Sequence, residues 1–326
     1  MMSETILQGG VLFILVFLLT VVGELWLIPR LRAKKAAQPI LEIGPAWHAV
    51  KSGTPTLGGL AFVLACTLGV AVLAAWGGIQ KSAVWQKPLL LTFFALVCAL
   101  IGFFDDWKKL AKRKNQGLRA GEKYLLQLLA AAVFLLLARR LFGLSTAIQL
   151  PFGDAQLDLG VFYYPLALLY LTGIVNALNL TDGVDGLLSC TTGVFAVSLL
   201  LGGEHFSVIT GALLLGAVMG FLCFNLHPAS VFMGDTGSLF LGAMVAGYGI
   251  LSQNALSVLI AGGVFVIEAF SVMLQVVYFK LTRGKRLFRM APLHHHFEKM
   301  GWSENAVVAV FSLAGVVFAV ISVIGG

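Results

Sequence analysis

Carboxylate side chains recur in this sequence at the ends of long apolar runs, where an ionised group is expensive and therefore needs a reason. Asp105 and Asp106 end the run in GFFDDW, and Asp235 lies in NLHPASVFMGDTGS just before another run. Adjacent carboxylates repel and point about 100° apart on a helix, so one can serve chemistry while the other serves a cation. The structural alternatives are an interfacial anchor balanced by Lys108 and Lys109 for the pair, and a helix cap for Asp235.

A second group of amides and carboxylates lies in NALNLTDGVDG, which contains Asn176, Asn179, Asp182 and Asp185. Gly183 and Gly186 allow the chain to turn tightly there. Capping of the following helix would explain one of the carboxylates but not two carboxylates together with two amides. The composition of this stretch therefore favours a functional site.

Three consecutive histidines, His294, His295 and His296, occur in MAPLHHHFEKMGW. Zinc binding is disfavoured, because consecutive side chains on a helix fan out and neither an HExxH pattern nor a Cys partner accompanies them. Phosphate binding or proton donation fits this triplet better, since Arg and Lys residues lie nearby.

Membrane-spanning helices must position these motifs. Of the 326 residues, 59% are hydrophobic and 11% are charged, against about 25% charged in a soluble domain. Runs long enough for a helix to cross the bilayer, about 20 residues, predict an all-α polytopic membrane protein, with one domain over residues 1–326. The ten predicted transmembrane helices are 11–28, 56–76, 88–104, 123–138, 161–180, 186–201, 206–226, 238–252, 255–281 and 306–324. The ninth is long enough to tilt or break.

Basic residues set the predicted orientation, because cytoplasmic loops carry an excess of Lys and Arg. Five lie in or beside the first loop, seven in the third and six in the ninth, which makes 18 of the 22 Lys and Arg. Odd-numbered loops are thus predicted to be cytoplasmic and both termini periplasmic. This topology also accounts for the net charge of +7 without a nucleic-acid partner, since no basic patch interleaved with aromatic residues lies on a soluble segment.

The fourth loop differs from the other periplasmic loops, because PFGDAQLDLG alternates like a small hairpin. We interpret this hairpin as a structural cover on the outer face.

The polar motifs all follow odd-numbered spans and therefore share the cytoplasmic face. Lys51, before the helix-packing glycines of GTPTLGG, follows the first span, and the Asp pair, the NALNLTDGVDG stretch, Asp235 and the histidines follow the third, fifth, seventh and ninth. Oxygen ligands favour Mg²⁺, which binds through one or two carboxylates together with substrate phosphates. The pattern predicts phosphoryl transfer at the membrane surface.

At these motifs the chain resembles the phospho-N-acetylmuramoyl-pentapeptide transferases, a branch of the polyprenyl-phosphate sugar-1-phosphate transferases. The resemblance runs from Lys51 to Trp302, and its last stretch points to the muramoyl-pentapeptide branch in particular. The matching stretches, in the expected order, are KSGTPTLGG, GFFDDWKK, QGLRAGEK, NALNLTDGVDGL, NLHPASVFMGDTGSLFLGA, IEAFSVMLQVVYFK and PLHHHFEKMGW.

The resemblance implies UDP-N-acetylmuramoyl-pentapeptide and undecaprenyl phosphate as substrates, with Mg²⁺ as cofactor. The products would be UMP and the lipid-linked muramoyl-pentapeptide diphosphate. It also implies a homodimer in the bacterial cytoplasmic membrane, with the active site facing the cytoplasm.

Residue roles follow from the same resemblance. Asp235 matches the metal-ligating aspartate, while Asp105 and Asp106 match an essential pair in which Asp105 would contact the lipid phosphate. Lys123 matches a basic residue near phosphate, and the histidine triplet matches a loop needed for activity. Positions matching the nucleotide-side loop and the uridine pocket are Asn179, Asp182, Asp185 (near the uracil), Lys51, Asn225, Phe232 (able to stack on the base) and Gln275.

The lipid substrate requires an apolar groove that opens sideways to the bilayer. The ninth span, 255–281, is the predicted wall, with a kink near Gly262 or Gly263. Glu268 lies within that span, and the sequence assigns it no role.

Several alternatives remain open at this point. A sister transferase using UDP-N-acetylglucosamine is the nearest, and only the histidine-rich stretch argues against it. A secondary transporter would need polar residues near the midplane and repeated halves, and an aspartyl intramembrane protease would need a GxGD pattern, which Phe232 breaks. Within the transferase reaction, direct attack by the lipid phosphate is favoured over a route through a phosphoryl-Asp intermediate.

Overall fold

The computed structural model describes residues 2–34, 53–79, 83–112, 116–153 and 155–325, most of which lie in α-helices. The helices, in chain order, are α1 (Met2–Ala33), α2 (Gly59–Ile79), α3 (Gln86–Lys112), α4 (Ala120–Phe142), α5 (Tyr163–Thr181), α6 (Leu187–Leu201), α7 (His205–Asn225), α8 (Gly234–Leu251), α9 (Ala255–Ala261), α10 (Gly263–Leu281), α11 (Leu293–Glu298) and α12 (Glu304–Gly325).

Eight helices within these described ranges are long and apolar enough to cross a membrane, namely α1 to α5, α7, α10 and α12. This confirms an all-α polytopic membrane protein, while the count of ten spans and the orientation of the termini stay predictions. Helix α6 has 15 residues. Helix α8 is buried from Thr236 to Leu251, so its side chains meet other helices and not lipid.

Small residues allow the neighbours of α8 to approach it closely. A Cβ atom on Gly59 of α2 would lie 2.5 Å from the Cα of Gly237, and one on Gly242 would lie 2.7 Å from the Cα of Val175 on α5. Helices in a bilayer associate mainly through such close packing, because lipid is as apolar as the side chains. The predicted packing role of the GTPTLGG glycines is confirmed at Gly59.

The predicted ninth span is divided at Gly262, where α9 ends and α10 begins after a non-helical residue with φ −87° and ψ 21°. Close packing supports the break, since a Cβ atom on Gly263 would lie 2.6 Å from the ring of Phe318 on α12. The predicted kink at this position is therefore observed. Helix α10 leaves it to run alongside α5 and α12.

The predicted hairpin is also observed, as strands β1 (Ala147–Gln149) and β2 (Gln156–Asp158), antiparallel with Ala147 opposite Asp158. At its tip the backbone N–H of Phe152 donates to the carbonyl of Gly325, at 2.7 Å. The hairpin thus packs on the end of α12. This end of the helix bundle is opposite the one that carries the polar motifs.

Candidate active site

Asp235 lies in the first turn of α8 and is the meeting point of side chains from α3, α4 and α5. Its Oδ2 accepts from Lys109 Nζ at 2.9 Å and from Lys123 Nζ at 2.8 Å. Its Oδ1 accepts from Asn179 Nδ2 at 2.9 Å. The side chain is 17% exposed, so it is held firmly but remains open to a ligand.

Asp105 lies beside this group and shares a cation with it. Lys109 Nζ is 2.6 Å from Asp105 Oδ2, so one ammonium bridges the carboxylates of Asp105 and Asp235. The other oxygen of Asp105 accepts from the backbone N–H of Leu118 at 2.7 Å. Gly117 leaves the room for this contact, because a Cβ atom there would overlap the carboxylate of Asp105.

Asp106 has a different task from its neighbour. Its carboxylate accepts from the backbone N–H of Asp235 at 3.2 Å, and from the N–H and Oγ1 of Thr236 at 2.9 and 2.8 Å. It therefore caps the N-terminus of α8 from α3, a role that sequence reasoning considered for Asp235 itself. Both members of the pair are buried, which excludes the interfacial-anchor alternative.

One carboxylate oxygen from each of Asp105, Asp106 and Asp235 lies within 4.8 Å of the other two. With Lys109 and Lys123 charged, the group carries one net negative charge when all three aspartates are ionised. Hard oxygen donors at this spacing suit Mg²⁺, and the Lys109 ammonium already lies between Asp105 and Asp235, where two carboxylates offset a positive charge. The donor set therefore fits the metal that the sequence predicts.

Helix α3 packs closely against the backbone of Asp235 at Gly102. A Cβ atom on Gly102 would overlap the carbonyl oxygen of Asp235 and lie 2.6 Å from the nitrogen of Thr236. Only a residue without a side chain can occupy this position without displacing the start of α8. The relative placement of Asp105 and Asp235 depends on this contact.

Asp185 follows α5 and joins a second polar group. Its Oδ2 accepts from the backbone N–H of Ala229 at 3.0 Å and lies 3.2 Å from His227 Nδ1. Its own N–H donates to Glu304 Oε2 at 3.2 Å. The N-cap of α6 is Gly186, in the left-handed region with φ 77°, so Asp185 organises this loop and does not cap the helix.

Asn225, predicted in the uridine pocket, ties the same loop to the stretch before α8. Its Oδ1 accepts from the N–H of Gly186 at 3.1 Å, and its Nδ2 donates to the carbonyl of Val231 at 3.0 Å. Next to it, Phe232 is half-buried and its backbone pairs with Pro55 and Gly58. Lys51, predicted in the same pocket, lies outside the described residues.

The three histidines occupy α11 and face different partners, as the fanning argument predicts. His294 is fully buried beside Glu268. His295 Nδ1 lies 2.6 Å from Glu298 Oε2, and His296 Nδ1 accepts from the backbone N–H of Arg289 at 3.0 Å. The three imidazoles therefore do not converge on one point.

The structure thus brings five of the predicted residues into one cluster: Asp105, Asp106, Lys123, Asn179 and Asp235. Asp182 follows α5 directly. Gln275 lies on α10, where its Oε1 accepts from the N–H groups of Leu287 and Phe288.

Sequence reasoning treated Lys109 only as a balancing charge and did not single out Glu304. The i, i+4 spacing of Asp105 and Lys109 was a usable signal for the first. No local signal could find Glu304, which is 119 residues from its partner Asp185.

Comparison with known proteins agrees with this site. The family described as Glycosyl transferase family 4 matches residues 88–253, a range that includes every member of the cluster. A protein of Halalkalibacterium halodurans is 44% identical over 315 residues, covering 95% of each chain. One of Bacillus subtilis is 44% identical over 324 residues, covering 98% of this chain and 96% of its own. One of Shouchella clausii is 45% identical over 324 residues, covering 97% of each.

All three relatives carry the name phospho-N-acetylmuramoyl-pentapeptide-transferase. At this identity over nearly the full length, and with the cluster of aspartates and lysines inside the matched range, the chain belongs to the phospho-N-acetylmuramoyl-pentapeptide transferase family.

Proposed function

We propose that this enzyme transfers phospho-N-acetylmuramoyl-pentapeptide from its UDP-linked donor to undecaprenyl phosphate, with Mg²⁺, at the cytoplasmic face of the bacterial inner membrane. UMP and the lipid-linked diphosphate are the products. The observation that carries the proposal is the cluster in which Asp105, Lys109, Asp235 and Lys123 meet at one end of an apolar helix bundle. The excess of basic residues in the loops at that end supports the cytoplasmic assignment.

The cluster answers the main physical difficulty of the reaction, which is the repulsion between two anionic substrates. Lys109 and Lys123 provide two ammonium groups within 3 Å of Asp235, placed where phosphate charge must be offset. Asp235 would hold Mg²⁺, with Asp105 the other carboxylate within reach. When bound, the metal would act as a Lewis acid on the diphosphate and stabilise the departing UMP.

Asp105 and Asp106 divide their work in this proposal. The carboxylate of Asp106 accepts hydrogen bonds from the first turn of α8 and so fixes the position of Asp235. Asp105 would contact and orient the lipid phosphate. Its engagement by Lys109 and the N–H of Leu118 weakens it as a nucleophile, which supports direct attack by the lipid phosphate over a phosphoryl-Asp intermediate.

The acceptor chain needs an apolar surface leading to this cluster. Helix α10 leaves the break at Gly262 and exposes large apolar side chains, among them Met273 at 59%, Leu274 at 51% and Val277 at 53%. This face supports the proposal that α10 is the wall of a lipid groove.

The donor is tested with purified protein, undecaprenyl phosphate and Mg²⁺, offered either UDP-N-acetylmuramoyl-pentapeptide or UDP-N-acetylglucosamine. We expect UMP release with the first donor only. Release with only the second would move the enzyme to the sister branch of the superfamily. Release with neither would contradict the proposed reaction and favour transport.

Lys109→Met is expected to lower kcat for UMP release by about a hundredfold, the usual cost of removing one group that stabilises developing charge. The matched control is Lys108→Met, because Lys108 lines an apolar groove with Val97 and Phe104 and should be dispensable. Steady-state UMP release measures both variants. Equal losses in the two would show that α3 contributes only its general positive charge.

A further inference from the structure

Glu268 is a fully buried carboxylate on α10 to which the reaction above gives no task. Its two oxygens accept from the backbone N–H groups of Leu293 at 2.9 Å and His294 at 3.1 Å. Leu293 is the first residue of α11 and follows Pro292, which has no N–H. Glu268 therefore satisfies the first two free donors of the histidine-bearing helix, from 25 residues away in sequence.

Gln275 repeats this arrangement on the same helix. It lies seven residues after Glu268, about two helical turns, so the two side chains share one face of α10. Its Oε1 accepts from the N–H groups of Leu287 at 3.1 Å and Phe288 at 2.9 Å. Helix α10 thus holds the 287–294 segment at both of its ends.

His294 extends the contact to the loop after α5. Its ring is fully buried, with Nδ1 3.3 Å from Glu268 Oε2. On its other side the ring packs against Gly183, where a Cβ atom would overlap Nε2. Gly183 stands between Asp182 and Asp185, so the position of His294 limits the position of that loop.

We propose that Glu268 is a positioning residue: it fixes the histidine helix on α10 and, through His294, sets the loop of residues 182–186. A carboxylate suits this task because each of its two oxygens accepts one N–H, whereas an amide has a single accepting oxygen. Helix α10 also carries the predicted lipid-facing surface. Glu268 therefore fixes the position of the nucleotide-side loop relative to that surface. The kinetic consequence rests on the proposed function.

The test is Glu268→Gln, which keeps the size of the side chain and turns an amide NH₂ toward a backbone N–H. We expect hydrogen–deuterium exchange in peptides covering 287–298 to rise, with α1 and α7 unchanged. We also expect kcat for UMP release to fall at least tenfold, the usual cost of losing a residue that orients a functional group, while KM for undecaprenyl phosphate changes less than threefold, because the lipid-facing side chains of α10 stay in place.

A second variant and a control keep the proposal falsifiable. Gly183→Ala pushes against His294 from the opposite side and should give the same pattern of lower kcat with a nearly unchanged KM for undecaprenyl phosphate. Glu204→Gln changes an exposed carboxylate at the opposite end of the bundle and should match the wild type in both measurements.

Unchanged exchange in 287–298 after Glu268→Gln, or unchanged kcat, would overturn the positioning role. A uniform rise in exchange across all helices would overturn it as well, since it would mark a general support of the fold. Exchange needs no substrate. A wild-type enzyme that released no UMP would therefore contradict the proposed function, and the exchange result would still decide the role of Glu268.

Discussion

Asp235→Asn is expected to reduce UMP release by at least about a thousandfold, because it removes the charge on which Lys109 and Lys123 converge and the carboxylate proposed for Mg²⁺. The fold should survive. Asparagine has nearly the same size, and Asp106 caps the start of α8 through backbone N–H groups that the substitution leaves in place. UMP release across a Mg²⁺ titration measures the effect, with thermal unfolding of the same samples as the measure of folding.

Asp158→Asn is the matched control, since Asp158 is an exposed carboxylate of the hairpin at the opposite end of the bundle. It should retain wild-type activity. Near-full activity of Asp235→Asn at saturating Mg²⁺ would refute the metal role of Asp235. A loss of activity together with a large fall in thermal stability would show that Asp235 supports the fold instead.

Gly102→Ala should have the second largest effect, from a single added methyl group. Its Cβ would overlap the carbonyl oxygen of Asp235, so α3 and α8 must move apart. Overpacking of this kind costs about 1–3 kcal/mol of stability, and the separation pulls Asp105 away from Asp235. We expect a clear loss of kcat together with a lower unfolding temperature, measured on the purified protein.

Gly173→Ala provides the comparison within a helix. Gly173 lies on α5 with no neighbouring atom within 4 Å of the added Cβ, and alanine is the better helix former. This variant should be as active as the wild type and at least as stable. Wild-type kcat and stability in Gly102→Ala would show that the contact between α3 and α8 is not tight in the working enzyme.

Much of the architecture could be predicted because hydropathy is a local property of the chain. Runs of apolar residues located the helices, and the two glycines at 262 and 263 located the break between α9 and α10. The bounds were less certain. The predicted 123–138 span extends over Ala120–Phe142, because polar residues at a helix end can be helical without being in the bilayer.

The candidate site could be predicted as a set of residues but not as a geometry. Residue type and position in the chain indicated Asp105, Asp106, Asn179 and Asp235, and placed them at one end of the bundle. The homodimer and the individual substrate contacts remain predictions from resemblance, and Mg²⁺ remains a prediction from the carboxylate motifs and from the resemblance. The uridine-pocket role of Lys51 is likewise a prediction, because Lys51 lies outside the described residues.

The opening motif, two adjacent aspartates, shows where the limit lies. The sequence by itself determined that two carboxylates end an apolar run, which is costly enough to indicate function. Only the tertiary structure decided that Asp106 caps α8 while Asp105 shares Lys109 with Asp235, 126 residues from that lysine. The same holds for Glu268. Its partners are backbone N–H groups, which nearly every residue has, so the sequence does not indicate which of them it contacts. Hydropathy is a property of each residue and can be read from the sequence, whereas a long-range hydrogen-bond partner is fixed only when distant segments pack together.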